Sequence, residues 1–325
     1  MSFIKRYIRL EIGIFLIIAT IATAVSCSEK KQKKKDLVAK ASTTELNATT
    51  SKEAAKPVSE AFKKYWYAGE AEITSYELKQ ARYGELRDGK AVLVYVTEPF
   101  SDKDQVKSDY PSNEKSTSVL KLNATKNFNT GIYPYSIMTS TFYPVTDGQH
   151  AMKITMSMQE WCGHVFTQLN NREQFEVESR SYFQSEGDQN FSLNKTLLEN
   201  EIWQKIRINP NDLPTGKLKM IPSFEYVRLR HIELKPYEVE IKKATQETSM
   251  RYSLVYPSLN RSLEILFNNQ FPYEVISWKE TFKSGFGPNA KEMVTTAKKI
   301  KTIKSPYWSK NSNAYVSLRD TLGLD

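Results

Sequence analysis

Cysteine is nearly absent from the chain, which has 2 cysteines among 325 residues, Cys27 and Cys162. Two thiols allow one disulfide at most, so the sequence excludes a small secreted scaffold that is held together by disulfides. No second cysteine follows Cys162 at the spacing of a thioredoxin motif, which excludes dithiol redox chemistry. The folded part must therefore be stabilised by an apolar core.

Histidine is also rare, and the 3 histidines, His150, His164 and His231, lie far apart. They do not form the HxxxH or HExxH spacings of helical zinc sites. A GxSxG nucleophile elbow, a phosphate-binding glycine loop and a dinucleotide fingerprint are missing as well. These absences make an enzyme less expected, although two carboxylates from distant strands could still form a site. Nothing in the sequence predicts a metal or a cofactor.

No apolar run is long enough to cross a bilayer as a helix, which takes about 20 residues. The run at residues 12–21 is short, follows three basic residues, and is followed by small residues and Cys27. This order is typical of a bacterial lipoprotein, so we expect a signal peptide over residues 1–26 and lipidation of Cys27. An ordinary signal peptide followed by an incidental thiol is the alternative.

Positive charge is concentrated near Cys27. Of the formal net charge of +9, residues 1–27 hold +2 and residues 28–60 hold +3, which leaves +4 for residues 61–325. Residues 27–56 have almost no bulky apolar side chains, so we expect a flexible Lys-rich tether behind the lipidated cysteine. Its lysines suit anionic headgroups. We expect no nucleic-acid partner, because basic and acidic residues are interleaved downstream.

The expected ectodomain, residues 57–325, is mainly β. Apolar spacing predicts a short helix over 57–66, and runs rich in Thr, Tyr, Val, Ile and Phe then predict eleven or more antiparallel strands. The first hairpin should turn near Gly84, or at Asp88-Gly89, where the turn signal is stronger. Two further helices are expected, one behind Asn194 and one near the carboxyl terminus.

Two or three short helices cannot cover an open sheet of this width. We therefore expect one or two long, curved antiparallel sheets that resemble a half-barrel or a sandwich. A strand is expected over residues 219–231. The segment 209–222 is rich in proline, and it is the expected boundary if the ectodomain consists of two lobes.

The most suggestive local group for chemistry is Glu160, Cys162 and His164. On one strand these side chains would share a face, and a carboxylate, a thiol and an imidazole can activate a nucleophile or hold a metal. Residues two apart on a strand are about 7 Å apart, so a sulfur-to-imidazole hydrogen bond would require a turn or bulge at Gly163. The simpler interpretation is that Cys162 is a small core residue.

Aromatic residues make up 12% of the chain, and tyrosine is the commonest of them, with 18 residues. They cluster near the ends of the expected strands, at 65–67, 133–135, 142–143 and 307–308. Such rings can stack on sugars or line an apolar cavity. A β-rich core that simply contains many aromatics is the alternative.

Four segments carry a resemblance to a known group of proteins. They are residues 65–100, 131–145, 159–170 and 271–287. These segments resemble lipoproteins of uncertain function from Bacteroidetes, especially from flavobacteria, and some members are labelled "septum formation inhibitor Maf". Maf proteins themselves are cytoplasmic nucleotide pyrophosphatases of α/β fold with a Ser/Arg-rich amino-terminal motif, which this chain lacks.

The resemblance implies a Gram-negative host and a lipoprotein that is sorted within its envelope. Ser28 stands where an aspartate can retain lipoproteins in the inner membrane of enteric bacteria, which favours the outer membrane. The lysines behind Ser28 differ from the acidic export tags of surface lipoproteins in that phylum, which favours the periplasmic side.

Two functions follow from these observations. The first is a non-enzymatic envelope module that binds an apolar or amphiphilic ligand, such as a lipid or a glycan, or an envelope protein. The alternative is an envelope hydrolase or transferase that uses Glu160, Cys162 and His164.

Overall fold

The computed structural model describes residues 58–111, 115–146, 150–285 and 287–324. These residues belong to one compact unit, which spans Lys52–Asp325. The expected signal peptide, the lipidation site Cys27 and the tether lie outside the described residues.

The described residues form fifteen strands and four α-helices, together with several short 3-10 turns. The strands are β1 (Ala71–Arg82), β2 (Glu85–Ser101), β3 (Ser116–Thr130), β4 (Tyr133–Pro144), β5 (Lys153–Glu160), β6 (Gly163–Asn171), β7 (Phe175–Arg180), β8 (Gln189–Leu193), β9 (Leu197–Leu198), β10 (Gly216–Ile221), β11 (Tyr237–Thr245), β12 (Ser249–Tyr256), β13 (Arg261–Asn268), β14 (Val275–Ser284) and β15 (Lys291–Ser305). The helices are α1 (Glu60–Trp66), α2 (Glu199–Ile208), α3 (Phe224–Arg230) and α4 (Ser317–Thr321).

All fifteen strands belong to one curved, unclosed sheet, in the order β8-β7-β6-β5-β4-β3-β2-β1-β15-β14-β13-β12-β11-β10-β9. Two antiparallel meanders, β1 to β8 and β10 to β15, meet where β1 pairs with β15, from Ala71 opposite Ser305 to Lys79 opposite Thr296. The edge strand β9 pairs with β10 in parallel. The edge strands β8 and β9 follow one another in sequence, and only residues 194–196 lie between them. The expected mainly β fold with a long curved antiparallel sheet is therefore confirmed.

The first hairpin turns at Tyr83-Gly84, since Arg82 pairs with Glu85. Gly89 lies inside β2, where a Cβ atom would overlap the backbone carbonyl oxygen of Asn127 in β3. The glycine at this position thus permits a close approach of two strands rather than a turn.

One helix was not expected from the sequence. Residues 219–231 do not form a single strand, because β10 ends at Ile221 and α3 begins at Phe224. The Ser223 hydroxyl accepts a hydrogen bond from the backbone N–H of Tyr226 and caps the new helix. The segment 209–222, expected as a boundary between lobes, lies within the single compact unit and contains a strand of the common sheet.

Helix α2 lies in the concave face of the sheet and is buried on most of its circumference. Its apolar residues Ile202 and Ile206 belong to the main core. Its polar residues are buried as well, namely Glu199, Asn200, Glu201, Gln204 and Arg207. A helix with charges on its buried surface requires partners on the surrounding strands.

Two ion pairs supply these partners at opposite ends of α2. Arg207 makes a bidentate pair with Glu72 of β1, at 2.6 and 2.5 Å, and the two side chains are 1% and 0% exposed. Near the other end, Arg261 of β13 makes a bidentate pair with Glu199, at 2.5 and 2.6 Å. Arginine matches a carboxylate with two parallel hydrogen bonds, so both pairs fix the orientation of the helix as well as its position.

The antiparallel order brings alternate turns to the same end of the sheet. We call this end the upper rim; it carries the turns at 83–84, 131–132, 161–162 and 181–188. The chain enters β1 and leaves β15 at the opposite end, which we call the lower rim. The segment behind β15 covers part of the convex face, where Leu322 packs with Ala71, Ile73 and Val96.

Removal of the Arg207 charge should destabilise the fold strongly. Arg207→Met leaves the Glu72 carboxylate buried without its cation, so we expect the free energy of unfolding to fall by about 3–5 kcal/mol. Urea denaturation measures this loss. Lys242→Met, at an exposed ion pair with Glu240, is the control and should cost less than about 1 kcal/mol. Equal losses for the two variants would contradict the role of the buried pair.

Stability should also fall in acid. Although burial opposes ionisation, the Arg207 charge and hydrogen bonds hold the pKa of Glu72 below its ordinary value. Arg261 does the same for the pKa of Glu199. In acid, these two carboxylates therefore bind protons more readily in the unfolded chain than in the folded one. The ion pairs contribute their full stabilisation above the ordinary glutamate pKa of about 4.5, and this contribution is lost as the pH falls below that value. Urea midpoints at about pH 7 and about pH 3.5 measure this, and a flat profile would contradict it.

Candidate functional site

The expected group Glu160, Cys162 and His164 lies at the tip of a hairpin on the upper rim. β5 ends at Glu160 and β6 begins at Gly163, so Trp161 and Cys162 form the turn. The three side chains therefore do not share one strand face. Glu160 pairs with Gly163, and Gln159 pairs with His164.

The electrostatics at Cys162 disfavour an activated thiol. The Cys162 side chain is exposed, and its backbone N–H donates to Glu160 Oε2 at 2.7 Å. A separate hydrogen bond of the Cys162 thiol with the Glu160 carboxylate, together with the negative charge of that carboxylate, raises the pKa of the thiol. A catalytic cysteine needs the opposite shift. Because the Cys162 side chain is exposed, the simpler interpretation of Cys162 as a small core residue is wrong.

The described residues contain no group of three or more His, Cys, Asp or Glu side chains that could hold a metal ion. No hydrogen bond between His164 and Cys162 is found within the described part of the chain. The catalytic role of Glu160, Cys162 and His164 stays a prediction, and the geometry gives it no proton relay.

The same hairpin tip belongs to a row of aromatic rings. Trp161 is 69% exposed, and its ring centroid lies 6.2 Å from that of Tyr133. The Tyr133 centroid lies 5.9 Å from that of Tyr135. The Tyr135 hydroxyl is 2.9 Å from the Tyr83 hydroxyl. We call Tyr83, Tyr133, Tyr135 and Trp161 the aromatic row; it crosses three neighbouring hairpins.

Arg82, which is buried at the end of β1, positions one end of the row. It donates hydrogen bonds to the hydroxyls of Tyr83 and Tyr135, both at 3.1 Å, and to the Leu229 carbonyl of α3 at 2.8 Å. Its guanidinium carbon also lies 4.2 Å from the centroid of the Tyr83 ring. Burial raises the pKa of Tyr83, and so does the hydrogen bond with Tyr135. Tyr83 is therefore a neutral phenol at neutral pH.

The rim continues into the loop between β7 and β8. Gly163 lies against the Tyr182 ring so closely that a Cβ atom would overlap it. Phe183 follows and makes an edge contact with His231, with centroids 5.0 Å apart. Glu186 lies 2.6 Å from Nδ1 of His231 and joins the loop to the end of α3.

Four successive hairpins thus present a large side chain at the upper rim. Besides Tyr83 and Trp161, these are Ile132, which is 85% exposed, and Tyr182, which is 62% exposed. Exposed apolar side chains that lie singly are ordinary, but side chains at neighbouring turns form a continuous surface, and such surfaces mark interaction sites.

The interior offers much less room. A cavity of about 60 Å³ lies between α2, α3 and the sheet, and Trp203 and Trp278 contribute to its walls. Its polar walls include Glu280, which accepts from Arg261 Nε at 2.6 Å, and Lys126, which pairs with Glu225 at 2.7 Å. A water molecule takes about 30 Å³ of liquid volume, so this cavity has room for about two waters.

The sequence did not reveal the aromatic row because its rings come from separate hairpins. Three of the four rings nevertheless leave a local signal, since an aromatic residue lies within two positions of a glycine at Tyr83-Gly84, Gly131–Tyr133 and Trp161–Gly163. The pairing of β1 to β6 brings these signals to one rim.

Among the described residues, no helix is both long and apolar enough to span a membrane.

Comparisons with known proteins add little. No protein-family model matches the chain, and no curated protein matches it. Among solved structures, the chain is similar to a porin-like protein from Bacteroides uniformis, with 9% identity over 70% of this chain and 95% of the other, at a TM-score of 0.22. A TM-score of this size does not establish a shared fold.

The Glu160 carboxylate should control the reactivity of Cys162. Glu160→Gln removes the negative charge and the carboxylate hydrogen bond, so we expect the thiol pKa to fall and alkylation near neutral pH to become faster. Mass spectrometry of the peptide that contains Cys162 measures the rate as a function of pH. Glu85→Gln, at another exposed acid of the upper rim, is the control. A slower or unchanged rate in Glu160→Gln would contradict this description.

Proposed function

We propose that the protein is a lipid-anchored protein of the cell envelope that binds a ligand at the aromatic row and catalyses no reaction. The signal-peptide pattern that ends at Cys27 supports the anchor. The aromatic row on the upper rim supports binding, because Trp161 is 69% exposed, Tyr83 is 39% exposed and Tyr133 is half-buried, whereas Tyr135 is buried among them. This row is the observation that carries the proposal.

The interior is an unsuitable place for an apolar ligand. Binding pockets for small molecules measure roughly 300–1,000 Å³, whereas the described cavity is about 60 Å³. The concave face is filled by α2 and its ion pairs. A second depression, of about 510 Å³, opens at the surface beside Gly89 and Tyr135. The surface near the upper rim therefore offers more room for a ligand than the interior does.

The chemistry of the row indicates the class of ligand. Flat rings favour a ligand with flat apolar faces, and the phenol hydroxyls of Tyr83 and Tyr133 suit a ligand that also carries hydrogen-bonding groups. Saccharides of the envelope combine both properties. A partner protein is the second candidate, because exposed tyrosine and tryptophan are enriched at protein interfaces.

The location within the envelope follows from the residues next to Cys27. Ser28 in place of aspartate favours the outer membrane, and the lysines that follow favour its periplasmic side. An enzyme that uses Glu160, Cys162 and His164 is the alternative, but the raised pKa of the Cys162 thiol is opposite to that of an activated nucleophile.

Ligand binding should depend on the row and not on exposed aromatics elsewhere. We expect native mass spectrometry of the full lipidated chain, isolated from an envelope extract in lipid nanodiscs, to show an added mass of saccharide size. Trp161→Ala and Tyr133→Ala should each weaken binding about tenfold or more, because each removes a stacking ring.

Trp308→Ala is the matched control, because Trp308 is 50% exposed and lies behind β15 at the lower rim. Equal binding by Trp161→Ala and the parent protein would refute the row as the site. An added mass of protein size that is lost in Trp161→Ala would favour the partner protein.

A further inference from the structure

The chain that follows β15 folds back onto the convex face of the sheet at the lower rim. Leu322 is buried there, and a Cβ atom at Gly323 would lie 3.4 Å from Ile300 Cγ2 of β15. This segment therefore lies beside the convex side chains of β15.

The segment leaves several large side chains exposed. Trp308 is 50% exposed and Val316 is 54% exposed. Tyr307 and Tyr315 are also exposed, and the Tyr307 and Trp308 rings are in edge contact with centroids 5.5 Å apart. Three of these four side chains are amphipathic rings, which prefer the boundary between water and lipid.

Lysines lie on the convex side of β15 and beside one of these rings. Ala297 packs in the core, so its neighbour Lys298 lies on the convex side of β15. The register between β1 and β15 shifts next to Ser75. Beyond this shift, Lys301 lies on the same side as Ile303, which packs on the convex face. Lys310 Nζ lies 4.6 Å from the centroid of the Tyr315 ring. No ion pair of Lys298, Lys301 or Lys310 is found among the described residues. We call these three lysines, Ile300 and residues 307–316 the C-terminal face.

This face adjoins the place where the chain enters the fold. Ala71 pairs with Ser305 at the end of β15, and Lys304 Nζ donates to the Tyr65 carbonyl of α1 at 2.6 Å. The chain reaches α1 from Cys27 through residues 28–59. A lipid on Cys27 would thus be tethered to the corner of the domain that carries the C-terminal face.

We propose that the C-terminal face docks onto an anionic lipid surface. This proposal rests on the lipid anchor of the proposed function. Each lysine near an anionic surface contributes about 1 kcal/mol, and tryptophan and tyrosine insert at the level of the headgroups. Acids near this face are Glu77, opposite Lys298 across β1, Glu70 and Asp320 in α4. Glu77 and Glu70 already have lysine partners, since each carboxylate lies 3.8 Å from the Nζ atom of Lys79 or Lys304. The upper rim then points away from the membrane, toward the ligand.

The test uses the full lipidated chain in vesicles of phosphatidylethanolamine and brominated phosphatidylglycerol, because bromine quenches only tryptophans that touch the lipid. We expect quenching in the parent and in Trp161→Phe, and its loss in Trp308→Phe. Lys298→Gln/Lys301→Gln should weaken the quenching severalfold. Lys217→Gln/Lys219→Gln, on the exposed face of β10, is the matched control and should leave it unchanged.

Three results would overturn the proposal. If the protein floats with the vesicles but Trp308 is not quenched, the anchor is intact and the docking face is refuted. Equal quenching with and without anionic lipid would refute the role of the lysines. Protein that does not float with the vesicles would refute the anchor itself, and with it the proposal that rests on it.

Discussion

The buried ion pairs of α2 are the constraint on which the rest of the structure depends. A curved sheet of fifteen strands has a concave face that must be covered, and α2, a helix of ten residues, covers it here together with apolar side chains of α1 and α3. Because both Arg207–Glu72 and Glu199–Arg261 are buried, α2 can lie in one orientation only. Filling the interior in this way removes the space in which a ligand could be enclosed.

A filled interior moves the functional surface to the rims. The two rims differ in chemistry. In the aromatic row of the upper rim, the buried Arg82 donates a hydrogen bond to the Tyr135 hydroxyl. The C-terminal face at the lower rim instead combines exposed rings with lysines that have no ion pair among the described residues. The first suits a ligand that stacks and forms hydrogen bonds. The second suits a charged lipid surface, and together they give the domain a direction relative to its proposed anchor.

Local patterns predicted much of the fold, and non-local pairing decided the rest. Alternating apolar residues indicated the strands, but α3 was not predicted because Tyr226, Val227 and Leu229 also suit a strand. A turn or bulge at Gly163 was considered only as a condition for contact between Cys162 and His164, and the structure has the turn at Trp161-Cys162. The aromatic row could be predicted only in part, since the sequence shows the cluster at 133–135, whereas Tyr83 and Trp161 join that cluster only through the register of six strands.

The central claim is that the ligand lies on the aromatic row. Hydrogen–deuterium exchange of the full chain, with and without the species that copurifies from the envelope, tests it most directly. The account predicts slower exchange at residues 83–84, 131–133 and 160–163 in the bound protein, with α2 unchanged. Protection confined to α2 and the strands around it would contradict the account and place the ligand in the interior.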